Sequence, residues 1–153
     1  MTNEQLAQFL VAAKRATYAA QGDDASVTPL LPASRQLEFR LGNVLYRDIY
    51  FGFAYFVGQE TVYADDAPLW AMGYAGGMTD ANADASAVYK FLQFALRQVD
   101  AASPYRGPGL IRGDDFQYTA QTTGTLENFS GIERISKSRA IVYELRYHGG
   151  RIR

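Results

Sequence analysis

The chain has 153 residues, 48% of them hydrophobic and 14% aromatic, with a formal net charge of −1. This length and apolar share fit one folded domain, 1–153, and exclude a disordered chain, while the balanced charge argues against a nucleic-acid binder. With no cysteine and a single histidine, His148, disulfides, thiolate metal sites, a cysteine nucleophile and a histidine-rich metal cluster are excluded, and no metal or cofactor is expected.

The opening Met-Thr-Asn-Glu-Gln-Leu has no basic region followed by an apolar run, so no signal peptide is expected. No segment approaches about 18 consecutive apolar residues, so no membrane span is expected and a cytoplasmic location follows by default. Thr2 and Gln5 form a capping-box pattern, and Leu6, Phe9, Leu10, Ala13 and Thr17 follow helical spacing. Residues 21–35, with Gly22, two Asp, two Pro and two Ser, read as a loop.

Strands come next. Leu37, Phe39 and Leu41 alternate with polar residues, and Gly42-Asn43 is a two-residue hairpin signal. That turn puts Leu41 opposite Val44, Glu38 opposite Arg47, and Asp48 opposite Leu37. Asp48 then shares a face with Phe39, Tyr46 and Tyr50, where an unpaired carboxylate is costly. Two further strands are expected near 55–63 and 69–76, joined through Asp65-Asp66-Ala67-Pro68. A second helix is expected over about 84–100, with Val88, Phe91, Leu92, Ala95 and Val99 on one stripe, ended by Ser103-Pro104. After the turn-rich Tyr105-Arg106-Gly107-Pro108-Gly109, three strands are expected near 114–122, 126–136 and 140–148. Six basic residues between Arg134 and Arg153 face Glu144 alone, which reads as a solvated hairpin and tail.

The chain repeats itself. Residues 56–77 align with 129–150 without a gap, at an offset of 73, with seven identities in 22 positions, where average residue usage gives about one. Phe56, Gly58, Glu60, Ala67, Tyr74 and Gly76-Gly77 match Phe129, Gly131, Glu133, Ala140, Tyr147 and Gly149-Gly150. The helices correspond at an offset of 82: Leu6/Val88, Phe9/Phe91, Leu10/Leu92 and Ala13/Ala95. The expected fold is α+β: two pseudo-repeated units, about 1–79 and 80–153, each a helix followed by antiparallel strands, forming a mostly antiparallel sheet of about seven strands. Residues kept in both copies read as structural. Gly58 and Gly131 read as sites of a bulge or of a close aromatic approach, with Tyr74 and Tyr147 lying over them. Residues that break the repeat, His148, Arg146 and Arg106, are better functional candidates.

No phosphate loop, His-Glu-x-x-His, Gly-x-Ser-x-Gly or dinucleotide fingerprint is present. Three functions compete. The first is a non-catalytic small-molecule binding module, with Asp48, Tyr46, Tyr50, Glu60, Trp70, Tyr74, Arg106, Glu133, Tyr143, Tyr147 and His148 as candidate ligand-binding residues. The second is an acid–base enzyme using Glu60 with Glu133, or Asp48 with His148. The third is an interaction module that pairs an edge strand with a partner or with a second copy as a homodimer.

The pattern Asp48-x-Tyr50-x-Gly52, Phe56-x-Gly58-x-Glu60-x-Val62, Trp70-x-Met72-x-Tyr74-x-Gly76, Tyr105-Arg106-Gly107-Pro108, Phe129-x-Gly131-x-Glu133-x-Ile135 and Tyr147-His148-Gly149-Gly150 resembles a bacterial domain family of unknown function. Similar domains sometimes follow a helix-turn-helix repressor-type domain, and the resemblance therefore implies a sensor or interaction module. In this chain the first helix leads directly into loop and sheet.

Overall fold

A computed structural model describes residues 1–21 and 27–153, with 20 and 21 described by backbone alone. Helix α1 (Asn3–Ala16) starts at the expected capping box. Thr2 accepts a hydrogen bond from the Gln5 amide, and the Gln5 side chain accepts one from the Thr2 amide. Thr17, expected on the helical stripe, is the C-cap, and its hydroxyl donates to the Ala13 carbonyl at 2.8 Å. A short α2 (Tyr18–Gln21) follows. The expected loop falls partly outside the described residues, at 22–26; from 27 to 34 the chain is irregular.

Four strands come next: β1 (Arg35–Leu41), β2 (Val44–Gly52), β3 (Tyr55–Ala64) and β4 (Ala67–Met78). The β1–β2 register is the one the Gly42-Asn43 turn requires, with Leu37 opposite Asp48 and Glu38 opposite Arg47. Glu38 and Arg47 form an ion pair at 2.7 Å. Asp65 and Asp66 take positive φ angles of 51° and 62° in the β3–β4 turn, a conformation acidic residues tolerate. Pro68 lies inside β4, where the register shifts; a bulge accommodates the missing donor.

Helix α3 (Ala85–Leu96) is capped by Asp84, which accepts from the Ala87 amide. Thr2/Asp84 and Gln5/Ala87 extend the offset of 82. The helix is shorter than its apolar stripe suggests: beyond Leu96 the chain tightens into Gln98-to-Ala95 and Val99-to-Leu96 bonds. The second strand block is β5 (Leu110–Arg112), β6 (Phe116–Thr125), β7 (Asn128–Lys137) and β8 (Ala140–Arg151). The three-residue β5 is the eighth strand, too short to show an alternating pattern.

All eight strands form one antiparallel sheet in the order β1-β2-β3-β4-β8-β7-β6-β5. The order reads the same from either end, unit by unit. The β3–β4 and β7–β8 hairpins pair identically at the offset of 73: Gly58 faces Tyr74 as Gly131 faces Tyr147, and both hairpins shift register at the same place, Val62/Tyr63 and Ile135/Ser136. Where the units meet, Tyr74 lies opposite Tyr147. These are equivalent positions, so a pseudo-two-fold axis passes between them.

The helices cover one face of the sheet. Leu6, Leu10, Ala13, Val88, Leu92 and Ala95 are buried in a single cluster with Leu37, Tyr46, Val62, Trp70, Met72, Ile135, Tyr143 and Leu145. That inner face carries the even residues of β2 to β4 and β6 and the odd residues of β1, β7 and β8. Glu60 and Glu133 therefore both point inward.

A Cβ on Gly58 would lie 2.4 Å from the Tyr74 hydroxyl oxygen, and one on Gly131 would lie 2.2 Å from Tyr147 Cζ. Both rings are buried. Gly58→Val and Gly131→Val are each expected to cost more than about 2 kcal/mol through overpacking. Denaturant melts check this; near-neutral effects at either site would contradict the close packing of ring on backbone.

Candidate functional site

Among the described residues five charged side chains are buried between the helices and the sheet, and each arrives on a different stretch of chain. Lys14 comes from the last turn of α1, Asp48 from β2, Glu60 from β3, Arg106 from the connector before β5, and Glu133 from β7. Burial of an unpaired charge is costly, so their partners decide what each can do.

Glu133 is 0% exposed. Its Oε1 accepts from Arg106 Nη2 at 2.7 Å and from the Tyr143 hydroxyl at 2.8 Å, and its Oε2 accepts from the Tyr118 hydroxyl at 2.7 Å. The Tyr118 oxygen in turn accepts from the Gly107 amide at 2.9 Å, which holds the connector in place. Glu60 pairs with Lys14 through Oε2, and its Oε1 lies 3.8 Å from Arg106 Nη1. Its charge also helps to keep the Tyr46 phenol protonated. Arg106 thus spans Glu133 of one unit and Glu60 of the other, with its guanidinium 5.6 Å from the Tyr74 ring centre. Burial alone would lower its pKa, but Glu133, together with Tyr143 and Glu60, outweighs this and holds it well above the ordinary arginine value.

Asp48 differs. Its Oδ1 accepts from the Tyr74 hydroxyl at 2.6 Å, and no cation bonds its carboxyl group among the described residues. Burial, then the nearby Glu60 charge, pushes its pKa up to about 7. Burial also lowers the pKa of Lys14, with Arg106 contributing and Glu60 opposing. Burial and the neighbouring carboxylates hold the phenols of Tyr46 and Tyr74 well above the usual tyrosine range, so both remain protonated donors.

These groups line a cavity of about 340 Å³ between α1–α2, α3 and the inner face of β2–β4. Asp48, Glu60, Lys14 and Arg106 form its polar end. Rings of Tyr46, Tyr50, Phe56, Tyr74, Tyr89 and Tyr105 line the rest. Phe56 is central to these rings, with centroids 6.4 Å from Tyr50, 6.1 Å from Tyr74 and 6.3 Å from Tyr89, each edge-on. The Tyr89 hydroxyl donates to the Phe53 carbonyl at 2.6 Å, which fastens α3 to the β2–β3 turn at the cavity lip.

Sequence reasoning singles out eleven ligand-binding candidates, and six of them line this cavity: Tyr46, Asp48, Tyr50, Glu60, Tyr74 and Arg106. Glu133 and Tyr143 lie behind it, in the Arg106 network. Trp70 is buried and stacked on Phe129, 5.6 Å between centroids. Tyr147 is buried and shares a 2.7 Å hydrogen bond with Thr122. His148 is exposed on the outer face, next to Arg146. Alternation separates it from Asp48 by the thickness of the sheet, so these two cannot act as a pair. Four of the six basic residues of the C-terminal segment are paired: Arg134 and Arg146 with Glu144, Arg151 and Arg153 with Glu127. No group of three or more metal-ligating side chains occurs among the described residues.

Residues 48–152 match the model of a domain of unknown function, DUF5680. The chain belongs to the DUF5680 family. The matched stretch begins at Asp48 and takes in Glu60, Tyr74, Arg106 and Glu133; Lys14, on α1, lies outside it. No curated protein and no solved structure matched the chain. No helix among the described residues is long and apolar enough to cross a membrane.

The folded chain keeps the Asp48 proton at pH values where the unfolded chain has lost it. Between the ordinary value of 3.8 and about 7 the folded state therefore binds more protons, and this group's contribution to stability falls as pH rises through that window, levelling off above it. Asp48→Asn still accepts from Tyr74 and carries no charge. It is expected to remove this fall and to raise stability at pH 8 by more than about 1 kcal/mol. Glu133→Gln leaves Arg106 buried without its carboxylate and is expected to cost about 3–5 kcal/mol. Urea melts of both variants at pH 5 and pH 8 check the contrast; equal destabilisation by the two would contradict the distinction drawn here.

Proposed function

We propose that this DUF5680 domain is a non-catalytic binding module for a small molecule, which enters the cavity between the helices and the first strand block. The observation that carries this reading is Asp48: a buried carboxyl group with one neutral donor, open to an aromatic cavity, with no cation bonded to it among the described residues. Glu133 is fully engaged by three donors and reads as structural. Apolar walls with a few convergent polar groups are the common form of a small-molecule site.

A second reading has support from one observation. A carboxyl group with a pKa of about 7 inside a cavity is suited to general acid–base work, with Asp48 alone as the titrating group. The version with Glu60 and Glu133 as an open pair has no such support, since Lys14 and Arg106 neutralise both.

A thermal-shift screen of the full chain against a metabolite library tests the binding reading, because a ligand at 100 times its dissociation constant adds about 2.7 kcal/mol. Gln93→Trp, which fills the cavity from α3, is the control. At least one compound is expected to raise the melting temperature of the native chain and not that of the variant. Equal responses, or none, would contradict the reading. Conversion of the bound compound into product by the native chain would favour the second.

A further inference from the structure

Resting on the cavity reading above, we propose that the ligand is a small organic cation, an ammonium group on an aromatic or aliphatic body, with its charge held against Asp48 inside the surrounding rings.

The argument starts from a charge count. Among the described residues the buried ionisable acids are Asp48, Glu60 and Glu133, and the buried bases are Lys14 and Arg106. Glu133 takes Arg106 at 2.7 Å, and Glu60 takes Lys14 with Arg106 at 3.8 Å. Both cations are used, and one negative charge is left over. It falls on Asp48, whose only hydrogen-bond partner among the described residues is the neutral Tyr74 hydroxyl. A ligand cation would complete the set.

The walls agree with that sign. Tyr46, Tyr50, Phe56, Tyr74 and Tyr89 line the cavity, and ring faces attract a cation, more strongly where water is excluded, as the rings of Tyr46 and Tyr74 already do with Lys14 and Arg106. An anion would meet Lys14 and Arg106 already paired with Glu60 and Glu133, with Arg106 Nε the buried cationic donor that has no hydrogen-bond partner among the described residues. Among the described residues, the charged groups that act most strongly on Asp48 are Glu60 from β3, Lys14 from α1 and Arg106 from the connector. Arg35 and Lys90 line the cavity from β1 and α3 but are exposed, where screening weakens their effect on a bound charge.

The pseudo-symmetry isolates the same residues. By strand pairing, Asp48 opposite Glu60 corresponds to Ala120 opposite Glu133, and by the helix offset Lys14 corresponds to Leu96. The second unit keeps the carboxylate that Arg106 needs and has no equivalent of Asp48. The unbalanced charge is therefore a feature of one unit and not a requirement of the fold.

Because Asp48 must lose its proton to hold a cation, binding should strengthen as pH rises towards and past 7. The test uses calorimetric titration of the full chain at pH 5.5 and pH 8 with three probes of similar shape: benzyltrimethylammonium, a permanent cation; benzyl alcohol, neutral; and benzoate, an anion. Benzyltrimethylammonium is expected to bind at least about tenfold more tightly than the other two at pH 8, and more weakly at pH 5.5. Asp48→Asn is expected to weaken it by at least about tenfold while leaving benzyl alcohol unchanged, as loss of one partner of a buried charge pair implies. If Asp48→Asn does not fold, Phe56→Leu, which removes the central ring, is expected to weaken the cation severalfold and the alcohol little. Tighter binding of benzyl alcohol or benzoate, or an unchanged cation affinity in Asp48→Asn, overturns the cation inference; if Gln93→Trp abolishes that binding, the cavity reading survives. Failure of all three probes to bind at millimolar concentration counts against both.

Discussion

One guanidinium joins the two halves of the molecule. Arg106 leaves the connector before β5, bonds Glu133 of its own unit and reaches Glu60 of the other. Each of these groups would be expensive to bury alone. Together they are tolerable only if the connector, β3 and β7 keep their relative positions. The phenols of Tyr118 and Tyr143 satisfy the remaining demand of Glu133, and the amide of Gly107 fixes Tyr118. The polar core is thus a spatial constraint on the seam, and the apolar cluster of helix and sheet residues around it supplies the burial energy.

On this shared frame the two units diverge. Strand pairing equates Tyr46 with Tyr118 and Tyr50 with Thr122, each opposite the same repeat position. Tyr118 bonds the glutamate of its unit, and burial and then Glu60 raise the pKa of Tyr46 in the other. The cavity arises where the first unit departs from the second: Lys14 in place of Leu96, Asp48 in place of Ala120, Tyr50 in place of Thr122. Residues common to both copies hold the sheet and supply part of the wall, Phe56, Glu60 and Tyr74 among them, and residues peculiar to the first copy complete it.

Much of this was legible in the sequence because short-range rules carried it. Gly42-Asn43 set a register, the register put Asp48 on the aromatic face, and the structure has it there. The ungapped repeat marked Gly58 with Tyr74 and Gly131 with Tyr147 as close contacts, and a Cβ at either glycine would strike its ring. Other parts were hidden. Lys14 in the last turn of a helix looks like a partner for the helix dipole, and nothing local says that it turns inward to Glu60. Tyr118 escaped because the β6–β7 connection is one residue longer than the β2–β3 connection: Gly124 pairs with Phe129 where Gly52 pairs with Phe56, so the repeat shifts from an offset of 73 to 72 and an ungapped comparison stops short. His148 was singled out for breaking the repeat, yet its parity within β8, opposite to that of Tyr143 and Tyr147, already assigned it to the outer face.

The central claim is that the fold neutralises Glu60 and Glu133 and leaves Asp48 without a cation. Carbon-detected NMR titration of the Asp48 side-chain carboxyl in the ligand-free chain tests this most directly. A midpoint near 7 is the predicted result. A midpoint at or below the ordinary value of 3.8 would mean that a positive charge already compensates Asp48, and would contradict the account.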